Sequence, residues 1–62
     1  MNIFQKMIAT ALNIAERQVN NTLTLLEGGA TIPFISRYRK EATGGLDEVQ
    51  IGEIKERYDK LC

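Results

Sequence analysis

The sequence predicts an all-α fold: a compact domain of four helices, with a short third helix and a truncated fourth. Three observations lead there. Apolar residues recur at three- and four-residue spacings through most of the chain, which gathers them on one face at about 100° per residue. The runs are separated at Asn13, Gly28-Gly29 and Gly44-Gly45, residue types that end helices. No stretch carries a clear strand alternation.

The first helix is expected from Asn2 to about Leu12. Ile3, Phe4, Met7, Ile8, Ala11 and Leu12 repeat as i, i+1, i+4, i+5 and collect on one face. Asn13 is a suitable stop because asparagine tolerates the left-handed conformation. The second helix runs from about Glu16 to Glu27, with Val19, Leu23 and Leu26 at i, i+4 and i+7. Ala15 is its cap, which costs about 1 kcal/mol relative to serine. Ile14 stands where a staple residue would meet Val19. Gly28-Gly29 ends this helix, since glycine enters the left-handed region freely.

The third helix is expected to begin at Pro33, whose missing N–H suits a first turn. Ile32 before it is biased away from helix. Phe34, Ile35 and Tyr38 share the face expected to be buried, and Arg37, Lys40 and Glu41 take the other. The helix should end near Glu41 or Ala42, with Thr43-Gly44-Gly45 turning the chain. The fourth helix opens with a capping box, Asp47 as N-cap and Gln50 at N3, flanked by a Leu46–Ile51 staple. Ile51, Ile54, Tyr58 and Leu61 then form its stripe, and Gly52 weakens it by about 1 kcal/mol. That stripe still continues where the chain ends at Cys62. Residues 1–62 are therefore expected to be one domain, the N-terminal fragment of a longer protein cut inside a helix. Its exposed apolar end is expected to dock onto downstream helices. The third and fourth helices, joined by a few turn residues, also suggest a helix-turn-helix-like pair.

Length and composition narrow the function. A 62-residue chain is at most one domain. One of this size buries only about 60% of its unfolded surface. The single cysteine allows no internal disulfide, and the absence of histidine leaves no usual zinc ligand set. We expect no metal and no cofactor. Eight basic and eight acidic residues cancel, so any nucleic-acid role must come from local clustering. Nothing approaches the roughly 20 apolar residues of a membrane span, and the first residues lack the layout of a secretion signal. A cytoplasmic protein without membrane contact is the expectation.

Arg37, Arg39 and Lys40 form the only dense basic cluster. These side chains neutralise phosphates, and Tyr38 among them could stack on a base. The competing reading is a solvated helix face, with Arg37 pairing to Glu41, Arg39 reaching an acidic residue of the fourth helix, and Tyr38 in the core. Thr43-Gly44-Gly45 lacks the ending of a nucleotide-binding loop and reads as a turn. The cap explains Asp47 and Glu48, and a charged solvent face explains Glu53 and Glu56. No nucleophile has a base to activate it, and Cys62 reads as inert. We therefore expect no enzyme and no catalytic residue.

The run Gly-Ala-Thr-Ile-Pro-Phe-Ile-Ser-Arg-Tyr-Arg-Lys-Glu-Ala-Thr-Gly-Gly-Leu-Asp-Glu-Val-Gln-Ile, Gly29 to Ile51, closely resembles the N-terminal region of the bacterial Tex family of transcription accessory proteins. Leu12-Asn13-Ile14, Gln18-Val19 and Leu23 to Leu26 extend the resemblance, which covers roughly Leu12 to Tyr58. Ala15 departs from the serine expected there, as do Gly52 and the shortness of the chain. The resemblance implies a large, mostly helical, multidomain parent similar to the core of a eukaryotic transcription-elongation factor. It further implies an RNase H-like domain, helix–hairpin–helix elements and a C-terminal S1 domain downstream, with nucleic-acid binding mainly at the S1 end. The implied partners are the downstream domains, nucleic acid (RNA or DNA) through the parent protein, and the transcription machinery. Two roles are open to these residues. One is a non-catalytic scaffold or docking module, and the other is direct phosphate-backbone contact through Arg37, Arg39 and Lys40.

Overall fold

A computed structural model describes residues 3–61. The expected helix start at Asn2 and the reading of Cys62 lie outside the described residues, as does the side chain of Leu61. Five helices succeed one another: α1 (Ile3–Leu12), α2 (Glu16–Glu27), α3 (Ile32–Tyr38), α4 (Lys40–Thr43) and α5 (Glu48–Leu61). The all-α class holds, and no strand occurs among the described residues. No helix among them is long and apolar enough to cross a membrane.

Three of the helices, α1, α2 and α4, end by local chemistry. Asn13 adopts φ 59°, and the N–H of Ile14 donates back to Ala9 O at 3.0 Å, the long bond of a Schellman stop. At the end of α2, Gly28 stays right-handed at φ −78° while Gly29 takes the left-handed position at φ 100°. The N–H of Ala30 then donates to Leu25 O at 3.1 Å. Gly44, at φ 72°, closes α4 in the same manner, with Gly45 N–H donating to Lys40 O at 3.0 Å. All three stops satisfy carbonyls that a helix end would otherwise leave open.

The helix starts are less uniform. Ala15 has no side-chain acceptor, so α2 keeps only half a capping box: Ala15 N–H donates to Gln18 Oε1 at 2.9 Å. Asp47 and Gln50 complete theirs, with Gln50 N–H to Asp47 Oδ1 at 2.8 Å and Asp47 N–H to Gln50 Oε1 at 3.1 Å. Leu46 and Ile51, the expected staple, both lie in the core.

The third helix departs from expectation at both ends. It starts at Ile32, one residue before Pro33. Thr31 caps it: its Oγ1 accepts from Phe34 N–H at 3.3 Å and its carbonyl from Ile35 N–H at 3.0 Å. That cap offsets the helical aversion of a residue preceding proline. The expected single helix is also broken at Arg39, where φ −128° and ψ 37° interrupt the spiral before the single turn of α4. The described residues thus form five helices, not four. The structure also interposes α4 in the pair that suggested a helix-turn-helix.

The physical reason for the break lies in α2. Asn21 Nδ2 donates to Ala42 O and Gln18 Nε2 donates to Thr43 O, both at 2.8 Å. These are carbonyls at the end of α4, where intrahelical partners run out. The break at Arg39 turns them toward two side-chain amides spaced i, i+3 on one face of α2.

The core draws on most elements. Ile8 and Ala9 come from α1, Val19 and Leu23 from α2, Ile35 from α3, and Ile51 and Ile54 from α5, with Leu46 just ahead of it. Helix α2 packs on α1, α3, α4 and α5, and α5 also receives α1 and α3. Thr22 is fully buried, but its hydroxyl donates to Gln18 O at 2.7 Å, so the polar atom is satisfied. The radius of gyration is 10.2 Å, close to the roughly 10.6 Å of a compact chain of this length.

Candidate docking face and nucleic-acid interface

The apolar arc of α1 is wider than the core beneath it. Ile8 is buried and Leu12 packs against the core. Ile3 and Met7 are 66% and 48% exposed, and Ala11 is exposed as well. Positions 3, 7 and 11 stand at i, i+4 and i+8, one row along the helix. Met7, Ile8 and Ala11 line a shallow groove with Arg57 and Lys60 of α5. Both cations are engaged on their own helix, Arg57 with Glu53 at 3.6 Å and Lys60 with Glu56 at 3.7 Å. The groove therefore has an apolar wall on α1 and a polar, ion-paired wall on α5.

The sequence places the docking surface at the apolar end of the last helix, at Leu61, whose side chain lies outside the described residues. Ile51 and Ile54 are fully buried, and Tyr58 is half-buried against the core. The described part of that stripe, Ile51, Ile54 and Tyr58, is used inside the domain. Among the described residues, an unpartnered apolar row lies on α1. A signal existed: seven apolar residues in ten positions span more arc than one seam needs.

The carboxylates behave as a solvated face. Lys55 and Asp59 pair at 3.0 Å, adding to the two pairs already described. Such exposed i, i+4 pairs contribute about 0.3–0.5 kcal/mol each. No group of residues suited to hold a metal ion occurs among the described residues.

Arg37, Arg39 and Lys40 are all exposed at the junction of α3 and α4. Their partners differ from expectation. Arg39, not Arg37, pairs with Glu41, at 3.7 Å. Its guanidinium carbon also lies 5.7 Å from the centre of the Phe34 ring, within cation–π range. Arg39 is thus held locally and does not reach the last helix. Arg37 and Lys40 have no ion pair among the described residues.

The aromatic pair is the larger correction. Of the three residues expected to anchor α3, only Ile35 is buried. Phe34 is 41% exposed and Tyr38 63% exposed. The rings touch, with centroids 5.3 Å apart and planes tilted by 48°. Phe34 and Tyr38 stand at i, i+4 on a flank of α3, while the row that carries Ile35 faces the core. Tyrosine carries a polar tip suited to a wet surface, and that was the available sequence signal.

Fold and surface define a small all-α module with an unpartnered apolar row and a separate aromatic–basic patch. The chain belongs to the family described as Tex-like protein N-terminal domain, which it matches over residues 2–62. It is 48% identical over 61 residues to the transcriptional accessory protein Tex of Neisseria gonorrhoeae, covering 98% of this chain and 8% of that protein. It is 43% identical over 58 residues to protein YhgF of Escherichia coli, covering 94% and 8% respectively. A relative from Pongo abelii, S1 RNA-binding domain-containing protein 1, is 34% identical over 56 residues, 90% of this chain and 6% of the relative. The chain therefore spans less than a tenth of the length of these relatives. No solved structure matches it.

Proposed function

We propose that this chain is a non-catalytic helical docking module of a Tex-like, transcription-associated, cytoplasmic protein. The observation that carries the reading is the row Ile3, Met7 and Ala11, left open on α1 beside the α5 groove. Two of its side chains are large and apolar, and a module in water gains by covering such a row. Its occupant is a downstream helix of the same polypeptide. Support comes from relatives roughly twelve times as long, in which a domain of this kind has neighbours to pack against. The distinctive residues of the central segment add support, since most have a capping, turning or packing task.

The test is a comparison of thermal stability between this chain and a version extended by the next one or two helices of the longer protein. Docking predicts a higher melting temperature for the α1–α5 unit in the extended version. An unchanged melting temperature would count against the proposal.

A further inference from the structure

The aromatic–basic patch at the α3–α4 junction is separate from the docking row and has its own chemistry. Phe34 is engaged on two sides, by Tyr38 and by the Arg39 guanidinium. Tyr38 is the more open ring, 63% exposed. Phe34 supports it from within, and Arg39 is steadied by Glu41 at 3.7 Å. Arg37 precedes Tyr38 and Lys40 follows it by two residues, and both are exposed with no ion pair among the described residues. On a chain with no net charge, this short stretch sets three cations against one carboxylate.

We propose that Tyr38 is a stacking platform for an unpaired base of single-stranded nucleic acid, with Arg37 and Lys40 neutralising the adjoining phosphates. An exposed, buttressed ring offers a π-face that any base can cover. Unpaired cations beside it attract the backbone, and stacking then holds the base. Duplex nucleic acid keeps its bases stacked on one another, so the patch selects single strands. Ribose and deoxyribose strands share this chemistry, and a direct comparison of the two separates them. The charge around the ring favours a polyanion over an apolar protein segment, the other occupant an exposed aromatic pair could take.

The test uses this chain with fluorescein-labelled strands of about 12 nucleotides, a typical site size. The strands are oligouridylate, oligodeoxyuridylate, an abasic strand of equal length and a duplex, all at low salt. Expected is saturable binding of the two base-bearing strands, tighter than the abasic strand and the duplex. The tighter of the two identifies the sugar. Tyr38→Leu should reduce affinity by roughly 5- to 100-fold, down to the abasic level. Tyr38→Phe should retain binding. Arg37→Gln with Lys40→Gln should lower the slope of log affinity against log salt by about 1.4. Circular-dichroism melts of each variant establish that the fold is kept. Equal binding of the abasic strand, unchanged binding by Tyr38→Leu, or no saturable binding would each overturn the proposal. So would a Tyr38→Leu variant that binds strands normally but destabilises the longer protein, which would assign the ring to protein docking.

Discussion

The side-chain amide of Gln18 joins the start of α2 to the end of α4: its Nε2 donates to the carbonyl of Thr43 at 2.8 Å. The same side chain accepts from Ala15 N–H through Oε1 at 2.9 Å. One residue thus completes a half cap on its own helix and closes a carbonyl at the end of another. Asn21, one turn along, does the same for Ala42 at 2.8 Å. These amide bridges hold α4 in place.

Replacing Gln18 tests this bridge. Gln18→Met keeps the stem and removes both hydrogen bonds, which should cost about 1–3 kcal/mol. Gln18→Glu keeps an acceptor for Ala15 but puts an oxygen opposite the Thr43 carbonyl, so it should also destabilise. Thermal melts report both, at about 4–8 °C per kcal/mol for a domain of this size.

Gly44→Ala should be destabilising for two separate reasons. The left-handed conformation at φ 72° costs an L-residue about 1–2 kcal/mol. The new Cβ would also lie 2.7 Å from Gln18 Nε2, displacing the amide from Thr43. Urea unfolding should show a lower midpoint with little change in slope.

Gly52→Ala should stabilise. The position is inside α5, and a Cβ there meets only Ile32 Cδ1, at 4.0 Å, an ordinary contact. The expected gain is about 1 kcal/mol in helix propensity, read as a rise in melting temperature.

Ala15→Ser should add the missing half of the α2 cap. Ala15 already has the extended conformation of an N-cap, at φ −76° and ψ 148°. A serine hydroxyl there can accept from Gln18 N–H while Gln18 continues to serve Ala15 N–H. The gain should be about 1 kcal/mol, and doubling Ala15→Ser with Gly52→Ala should be close to additive because the sites are on different helices.

Which parts of this fold were legible depends on the range of the interactions. The Asp47–Gln50 box, the left-handed Asn13 and the Gly44 stop depend on a few neighbouring residues, so pattern and residue type reveal them. The break at Arg39 depends on Gln18 and Asn21, more than twenty residues away in sequence from the carbonyls they bind. No local rule announces it. Phe34 and Tyr38 share a helical face with or without the break, and which flank of α3 turns inward depends on where α2 and α5 pack. The basic cluster itself was visible, but its division into a locally held Arg39 and open Arg37 and Lys40 needed the geometry. On α1 the apolar positions were correctly found. Which half of them the core uses depends on where α2 and α5 lie, a tertiary property.

The most direct measurement for the docking account compares Met7→Lys in this chain and in the longer protein. Met7 is half exposed here, so the substitution should change the stability of the isolated chain by no more than about 0.5 kcal/mol. In the longer protein the lysine would be forced into an apolar contact. Hydrogen exchange should then show α1 losing protection and the melting temperature should fall by several degrees. Equal, small effects in both proteins would contradict the claim that the Ile3–Met7–Ala11 row is a docking face.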